Sequence, residues 1–287
     1  MNPATPPIIA RPGVRETPGR AEPSVRPPAG PGRGEVWVWW AGTDSAVTHR
    51  DLVTGLMSEA ERDRYGAMRR PEARDRFAVG CALMRVASAR HLGVAPADVR
   101  LVRDCPDCGG PHGKPRIAGS GTPEISLTHA GAHVVCAVTW DGRVGVDVED
   151  GARLVDCDLL AGKILGPEEA EAYGRLPERE RRAALVTYWT RKEAVLKATG
   201  DGLRVPMRAL TVSGPADRPR LLHWAGRDRA ARADPLEEVA MWTLRGPEGM
   251  ELGRTTGALA VLGASPSRLI EIDAGPAMAV FGGGCVR

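Results

Sequence analysis

A chain of 287 residues with 43% hydrophobic and 26% charged side chains has the length and balance of a soluble globular protein of one or two domains. The net charge of +3 is too small for a typical nucleic-acid-binding surface, and no apolar run approaches the roughly 20 residues that cross a membrane. Six dispersed cysteines do not make a disulfide framework, and the N-terminus lacks an apolar signal segment, so we expect a cytoplasmic protein with reduced thiols.

The first predicted elements follow a Pro- and Gly-rich segment, residues 1–34, which we expect to be a disordered tail. An alternating apolar pattern over residues 34–40 predicts the first strand. A helical region comes next. It contains a capping box formed by Ser58 and Glu61, and its last helix is expected to end at Gly93.

Two strands are predicted near the middle of the chain, at 133–140 and 143–149, with Asp141-Gly142 as a two-residue hairpin turn between them. In the second strand three valines alternate with Asp147, Glu149 and a glycine, so both carboxylates leave by the face opposite the valines. Neighbouring carboxylates on one strand face repel each other unless a cation lies between them. The pattern therefore indicates a metal site, with a solvent-facing strand edge as the alternative.

A long helix is predicted over residues 183–199. It places Lys192, Glu193 and Lys197 on one side, within about 140° on a helical wheel. The chain has only four lysines, so two of them in one helix indicate a need for compact ammonium groups. An exposed salt bridge between Glu193 and Lys197 is the alternative. The opposite side of the helix is also apolar, however, which favours a position in a cleft between two packed halves.

A second group of polar residues lies upstream, where Lys114 precedes Thr128 and His129. A hydroxyl, an imidazole and the backbone amides near Gly131 suit a bound phosphate. A loop histidine with a surface lysine is the alternative.

The segment with Cys105, Cys108 and His112 has a spacing that invites a zinc interpretation. A structural zinc site needs four ligands and only three are local, so the sequence alone favours a loop or a thiol pair. Cys81 and Cys136 are interpreted as small core residues.

The order of the predicted elements indicates an α+β fold built from two comparable halves. The C-terminal third has the character of strands and turns, interrupted by a Pro-, Arg- and Gly-rich stretch at 213–235. It is expected to close with strands at 270–273 and 277–281.

Taken in order, these motifs resemble those of the 4′-phosphopantetheinyl transferases of the surfactin-synthetase-activating (Sfp) type. The resemblance covers about residues 50–212, and residues 272–280 resemble the family's final strand. Each motif alone is weak, whereas the ordered set is specific. The motifs are Gly113-Lys114-Pro115, Thr128-His129-Ala130-Gly131, Gly145-Val146-Asp147-Val148-Glu149 and Trp189-x-x-Lys192-Glu193-x-x-x-Lys197.

The resemblance implies a pseudo-dimer of two similar α+β halves, residues 35–142 and 143–287, with the active site in the cleft between them. Coenzyme A would bind in this cleft as the substrate. Mg²⁺ would be held against its pyrophosphate by Asp147, Glu149 and Glu193.

The resemblance also implies roles for the remaining site residues. Lys192 and Lys197 would contact phosphate oxygens, with Lys197 neutralising the leaving group. A carboxylate base would accept the proton of the attacking serine, with Glu193 as the first choice and Glu169 as the second. The other groups implied to bind coenzyme A are Arg64, Arg76, Lys114, Thr128 and His129.

The implied reaction is Mg²⁺-dependent transfer of 4′-phosphopantetheine from coenzyme A to a serine of an apo carrier protein, with release of 3′,5′-ADP. The carrier would be an acyl, polyketide or peptidyl carrier that presents an acidic helix, and the enzyme would be a monomer that uses neither nucleic acid nor membrane. The alternatives are a metal-dependent phosphohydrolase or nuclease using the same three acids, and a non-catalytic module that binds coenzyme A or a carrier. Arginines near the motif helix would complement an acidic partner, namely Arg175, Arg179, Arg181, Arg182, Arg191, Arg204 and Arg208.

Overall fold

The computed structural model describes residues 32–105, 107–153, 156–226 and 238–282, so most of the predicted tail, residues 1–31, lies outside the described residues. The strands are β1 (Glu35–Gly42), β2 (Leu101–Val102), β3 (Arg116–Ile117), β4 (Glu124–Ala130), β5 (His133–Thr139), β6 (Arg143–Asp150), β7 (Leu210–Val212), β8 (Leu221–Trp224), β9 (Val239–Leu244), β10 (Thr255–Leu262) and β11 (Arg268–Asp273). The helices are α1 (Ser45–Thr48), α2 (Arg50–Gly55), α3 (Glu59–Ala67), α4 (Pro71–Leu92), α5 (Cys157–Ile164), α6 (Pro167–Gly174), α7 (Glu178–Thr199) and α8 (Gly275–Gly282). None of the helices in these ranges combines the length and apolar character that a membrane crossing requires.

The first sheet has the strand order β11-β1-β5-β4, in which β1 runs parallel to β11 and antiparallel to β5. The face of β1 that carries Trp37 and Trp39 packs on α4. Two sequence predictions are confirmed in this layer. The capping box of Ser58 forms at the start of α3, and α4 ends at Gly93 in the left-handed conformation, with φ of 69°.

The second sheet has the order β6-β10-β9 and is antiparallel. The three valines of β6 are buried against the opposite face of the first sheet, as the alternation predicted. The other face carries α7, which comes so close that a Cβ at Gly145 would lie 2.0 Å from the carbonyl oxygen of Ala194. Only glycine permits this approach, and it brings the second half of α7 alongside Asp147.

The core therefore has four layers, α4, the first sheet, the second sheet and α7, which confirms the predicted α+β class. The pseudo-dimer relationship and the domain limits at 34/35 and 142/143 remain predictions. The last strand, β11, pairs with β1, so the end of the described chain returns to the first sheet.

The hairpin predicted at Asp141-Gly142 is wrong. β5 lies inside the first sheet with β1 and β4 on its two edges, so it has no free edge for β6. The chain instead crosses at Gly142, with φ of 70°, and β6 pairs with β10 of the second sheet. A left-handed glycine serves a sheet-to-sheet corner as well as a hairpin, and the dipeptide alone does not distinguish them.

The strand predicted at 277–281 is also wrong, because these residues belong to helix α8. β11 ends at Asp273, whose Oδ1 accepts a hydrogen bond from the amide of Gly275 at 2.9 Å. The amide of Met278 then donates to the carbonyl of Ala274 at 2.9 Å, which closes the first helical turn. Apolar runs this short do not separate a strand from a helix by periodicity.

Candidate active site

The site is built on a seam between β4 and β6, the edge strands of the two sheets that face each other. The hydroxyl of Ser126 accepts a hydrogen bond from the amide of Val146 at 3.1 Å, and that of Thr128 accepts from the amide of Val148 at 3.4 Å. Both spacings are two residues, so alternating side chains of β4 match alternating amides of β6. The seam therefore fixes Thr128 beside Asp147.

Asp147 is the centre of the cluster. Its Oδ1 accepts hydrogen bonds from the Thr128 hydroxyl at 3.1 Å and from Lys197 Nζ at 2.6 Å, and the same ammonium donates to Thr128 Oγ1 at 3.1 Å. The Asp147 side chain is 3% exposed and that of Lys197 is 29% exposed. Asp147 Oδ2 is buried and has no hydrogen-bond partner among the described residues. A buried carboxylate oxygen in that state is poised to accept a further cation or donor.

Glu149 and Glu193 complete a set of three acids around this point. Burial, then the charge of Asp147, raises the pKa of Glu149 to about 7. The pKa of Glu193 is raised by burial and by Asp147, and burial also raises that of Asp147 against the opposing effect of Lys197. The carboxylate oxygens of the three acids do not all lie within 4.8 Å of one another in the described structure. The acids therefore share one electrostatic environment without forming a closed ligand set.

A cavity of about 540 Å³ opens at Asp147, Glu149 and Lys197. Three arginines and Lys197 line it together with apolar residues, and the guanidinium of one arginine, Arg64, stacks at 5.1 Å on the ring of Phe77. Burial, then the charge of Arg76, lowers the pKa of His129, which also lines the cavity, so its ring is neutral at pH 7. The structure thus brings together seven of the predicted site residues at this cavity, and they are Arg64, Arg76, Thr128, His129, Asp147, Glu149 and Lys197.

A second cavity, of about 680 Å³, also has Lys197 in its lining, together with Lys114 and Ser126. The ammonium of Lys114 donates to Glu124 Oε2 at 2.7 Å and to the carbonyl of Ala198 at 3.0 Å. Lys114 therefore lines a cavity, but its charge is already paired and it also binds the end of α7, and the predicted contact to coenzyme A remains a prediction.

Lys192 and Glu169 are not brought to the Asp147 cluster. Their side chains are 0% and 3% exposed and form an ion pair, in which Lys192 Nζ also donates to the carbonyl of Ile164 at 2.7 Å. The two oxygens of Glu169 accept from the amides of Gly166 and Val212, each at 2.8 Å. Burial lowers the pKa of Lys192, and Glu169 opposes this effect. This geometry argues against a phosphate contact for Lys192 and against a base role for Glu169.

Two further residues were missed by sequence reasoning. Ser126 lines the larger cavity, and its signal was the Ser-Leu-Thr spacing that places it on the same strand face as Thr128. Arg103 lines the smaller cavity, and no local pattern marks it. Among the arginines expected to face a partner, Arg191 is buried and donates to the carbonyls of Ser213 and Gly214, at 2.8 Å and 2.6 Å.

The site segment matches a known family. Residues 143–240 match the model of the 4′-phosphopantetheinyl transferase superfamily. The 4′-phosphopantetheinyl transferase HetI of Nostoc sp. is 32% identical over 169 residues, which are 59% of this chain and 70% of the relative. A 4′-phosphopantetheinyl transferase of Bacillus subtilis is 25% identical over 166 residues, which are 56% of this chain and 68% of the relative. Among solved structures, the Thermotoga maritima holo-[acyl-carrier-protein] synthase aligns with a TM-score of 0.31 and 23% identity, over 42% of this chain and 62% of that one.

Proposed function

The chain belongs to the 4′-phosphopantetheinyl transferase superfamily, and from this premise we propose that the Asp147 cluster transfers 4′-phosphopantetheine from coenzyme A to a serine of an apo carrier protein. In this reaction the serine oxygen attacks the β-phosphate of coenzyme A. The bond between the two phosphates of its pyrophosphate breaks, and 3′,5′-ADP leaves. The observation that carries the proposal is the juxtaposition of a buried, incompletely bonded carboxylate with an accessible ammonium at a cationic cavity.

The three acids fit a hard divalent cation such as Mg²⁺. One of them has a buried oxygen without a partner among the described residues. Burial raises the pKa of all three, and the charge of Asp147 raises those of Glu149 and Glu193 further, so a bound cation would offset this cost. Asp147, Glu149 and Glu193 would hold the ion. When bound, Mg²⁺ would supply charge neutralisation at the pyrophosphate.

The cationic cavity is proposed to bind the phosphates of coenzyme A. Arg64 and Arg76 offer guanidinium groups that can form paired hydrogen bonds with phosphate oxygens. His129 is neutral in the free enzyme, and a bound phosphate would favour its protonated form. Lys197 would then share its ammonium between Asp147 and the leaving phosphate, because it is the partly exposed member of its ion pair.

Glu193 is the favoured base for the serine proton. Its raised pKa makes it a better proton acceptor than an ordinary carboxylate. The described residues around Asp147 form no hydrogen bond to Glu193, so its oxygens are available to the serine. Glu169 has both oxygens occupied by backbone amides and Lys192. The Glu169 and Lys192 pair is instead proposed to hold α6 against α7 and so to stabilise the fold.

The carrier is proposed to dock through an acidic helix on exposed arginines near α7, and the enzyme is proposed to act as an Sfp-type cytoplasmic monomer. Charge complementarity of this kind raises the rate of encounter and is screened by salt over about 8–10 Å. Charge reversal in Arg179→Glu and Arg208→Glu should therefore raise the KM for carrier more than it lowers kcat. The exposed arginines are Arg175, Arg179, Arg204 and Arg208.

The decisive experiment is mass spectrometry of an apo carrier protein incubated with the enzyme and coenzyme A, with Mg²⁺ or with a chelator. The proposal expects the carrier serine to gain one phosphopantetheine group only when Mg²⁺ is present. A phosphohydrolase or nuclease would cleave its substrate without a carrier, and a binding module would leave all masses unchanged. Full transfer in the chelator arm would refute the metal assignment alone.

A further inference from the structure

The loop between β2 and β3 gathers three metal-binding side chains that do not belong to the Asp147 cluster. The ligand atoms of Cys105, Cys108 and His112 all lie within 4.8 Å of one another. Cys108 Sγ lies 3.0 Å from His112 Nε2. Cys105 is buried, whereas Cys108 and His112 are exposed. Among the described residues, no other group of three or more His, Cys, Asp or Glu ligand atoms lies this close together.

We propose that these three residues bind Zn²⁺. Two thiolates and an imidazole are the ligands that Zn²⁺ prefers. Zinc bond lengths of about 2.3 Å to sulfur and 2.0–2.1 Å to nitrogen place tetrahedral ligands roughly 3.5–3.8 Å apart. All three ligand atoms lie within 4.8 Å of one another, and Cys108 Sγ and His112 Nε2 are 3.0 Å apart, so small side-chain rotations would bring the cluster to these distances.

The backbone of the loop is shaped to present these ligands. The amide of Cys105 donates to the carbonyl of Gly110 at 2.9 Å, and the amide of Gly109 donates back to the carbonyl of Cys105 at 2.8 Å. Gly109 has φ of 70°, which favours glycine. A Cβ at Gly110 would lie 3.2 Å from Cys108 Sγ and 3.1 Å from His112 Cδ2. A larger residue at 110 would therefore fill the space between the ligands.

The cluster also has a donor that favours the ionised thiol. The amide of Gly110 donates to Cys108 Sγ at 3.4 Å, a contact that stabilises a thiolate more than a neutral thiol. Asp107 lies nearby, with Oδ2 at 4.0 Å from Cys105 Sγ, but its other oxygen accepts from Arg204 at 2.9 Å. Asp107 stands outside the converging group, so water is assigned the fourth position from the exposed side.

The site has a structural consequence for the neighbouring cavity. Cys105 and His112 line the cavity of about 680 Å³, and the loop leads directly into Gly113 and Lys114 on the same wall. The amide of Gly113 donates to the carbonyl of Arg103 at 2.7 Å, which ties the loop to its own start. A metal ion held by the loop would fix this wall on the side where Lys114 binds the end of α7.

The first test measures metal content in the full chain, purified under reducing conditions and dialysed against a weak chelator. We expect about one zinc per chain in the wild type. Cys105→Ser and Cys108→Ser are expected to lose at least tenfold in zinc affinity by chelator competition. Cys157→Ser is the matched control, because Cys157 is a free, half-buried cysteine of α5 outside the cluster, and it should retain the zinc.

The second test uses Co²⁺ as a spectroscopic probe of the same proteins. The wild type should show thiolate-to-cobalt charge-transfer absorption and intense visible bands of a tetrahedral ion. His112→Ala should keep the charge-transfer absorption at lower affinity, whereas each cysteine variant should lose about half of it. Unchanged thermal unfolding of the metal-free variants separates lost ligands from lost fold.

Three results would overturn the proposal. The first is a reduced wild type that takes up neither Zn²⁺ nor Co²⁺. The second is zinc retained equally by both cysteine variants. The third is a purified chain whose mass shows the loss of two thiol hydrogens and whose peptides link Cys105 to Cys108. None of these readouts depends on transferase activity.

Discussion

Helix α7 carries two lysines that each bind a buried carboxylate. The two pairs differ in how completely their hydrogen bonds are formed and in their exposure to solvent. Lys192 and Glu169 are both sealed from solvent, and backbone amides and a carbonyl complete their hydrogen bonds. Lys197 is partly exposed at a cavity, and Asp147 keeps one buried oxygen without a partner in the described structure. Residue type does not separate the two pairs. The two pairs are distinguished by the unpartnered oxygen of Asp147 and by the access of Lys197 to a cavity.

The comparison also assigns different physical costs to the two pairs. A fully enclosed ion pair is stabilising only while both partners are present, because one partner alone is an uncompensated buried charge. A pair at a cavity can exchange one partner for solvent or substrate. We therefore expect the Lys192 pair to govern stability and the Lys197 pair to govern turnover.

The largest effect is expected on turnover from Asp147→Ala or Glu193→Ala. Either change should lower kcat/KM about a thousandfold, because metal and charge stabilisation at the pyrophosphate are lost. The free energy of unfolding should change by less than about 1 kcal/mol, since a buried acid with a raised pKa is removed. Carrier loading and chemical denaturation measure the two quantities. Glu171→Ala, which removes an exposed ion pair with Arg175, is the control and should match wild type.

Lys192→Met is expected to lower the free energy of unfolding by about 3–5 kcal/mol, because Glu169 is left buried without its counter-ion. The protein that remains folded at low temperature should keep most of its turnover. Adding Glu169→Gln should recover much of the stability by removing the unpaired charge. A Lys192→Met protein that is as stable as wild type and inactive would return Lys192 to the phosphate-binding role that the family resemblance implies.

Lys197→Arg is expected to lower kcat by about 10–100-fold although the charge is retained. The Lys197 ammonium contacts Asp147 Oδ1 and Thr128 Oγ1 together, and a planar guanidinium is too broad to reproduce both contacts and reach a phosphate. Stability should stay within about 1 kcal/mol of wild type, since the position is partly exposed. Full activity of this variant would reduce Lys197 to a counter-ion of Asp147.

The smallest expected effect is a loss of stability at higher pH, which bound Mg²⁺ should counteract. The pKa of Glu149 is about 7 in the folded chain and 4.5 in the reference state, so the folded state binds more protons between these values. Stability without metal should therefore fall as pH rises through this window, by at most about 3.5 kcal/mol at 1.4 kcal/mol per pKa unit, and by less because Glu149 is partly exposed.

Because Mg²⁺ favours the ionised carboxylates, its effect on Tm should be larger above about pH 8 than below pH 6. Glu149→Gln should remove most of the metal-free pH dependence. An Mg²⁺ effect on Tm that is equal at both pH values would contradict the assignment of Glu149 as a ligand.

Several parts of the site could be predicted because they depend on local periodicity. The alternation in β6 buried its valines and placed Asp147 and Glu149 on the other face. The i,i+4 spacing places Glu193 and Lys197 on the same side of α7. Asp147 raises the pKa of Glu193 and accepts a hydrogen bond from Lys197. The capping box at Ser58 needed only four residues of sequence.

The features that the sequence did not indicate depend on what packs against an element. The helical wheel placed Lys192 beside Glu193, but it contains no information about α6, which supplies Glu169 and covers that side of the helix. The dipeptide Asp141-Gly142 does not show that both edges of β5 are already occupied. The contribution of Ser126 requires knowing that β6 lies beside β4.

The hydroxyl seam between β4 and β6 also bears on self-association. An unpaired edge strand is a template for pairing with another chain. Here the hydroxyls of Ser126 and Thr128 accept hydrogen bonds from amides at the edge of β6. Side chains, and not a neighbouring strand's backbone, therefore satisfy these edge amides. Thr128 Oγ1 also donates to Asp147 and accepts from Lys197, which uses its one donor and two acceptor sites. We therefore expect position 128 to tolerate a serine, which keeps the hydroxyl, and a valine there to expose the β6 amide to pairing and to disorder the Asp147 cluster.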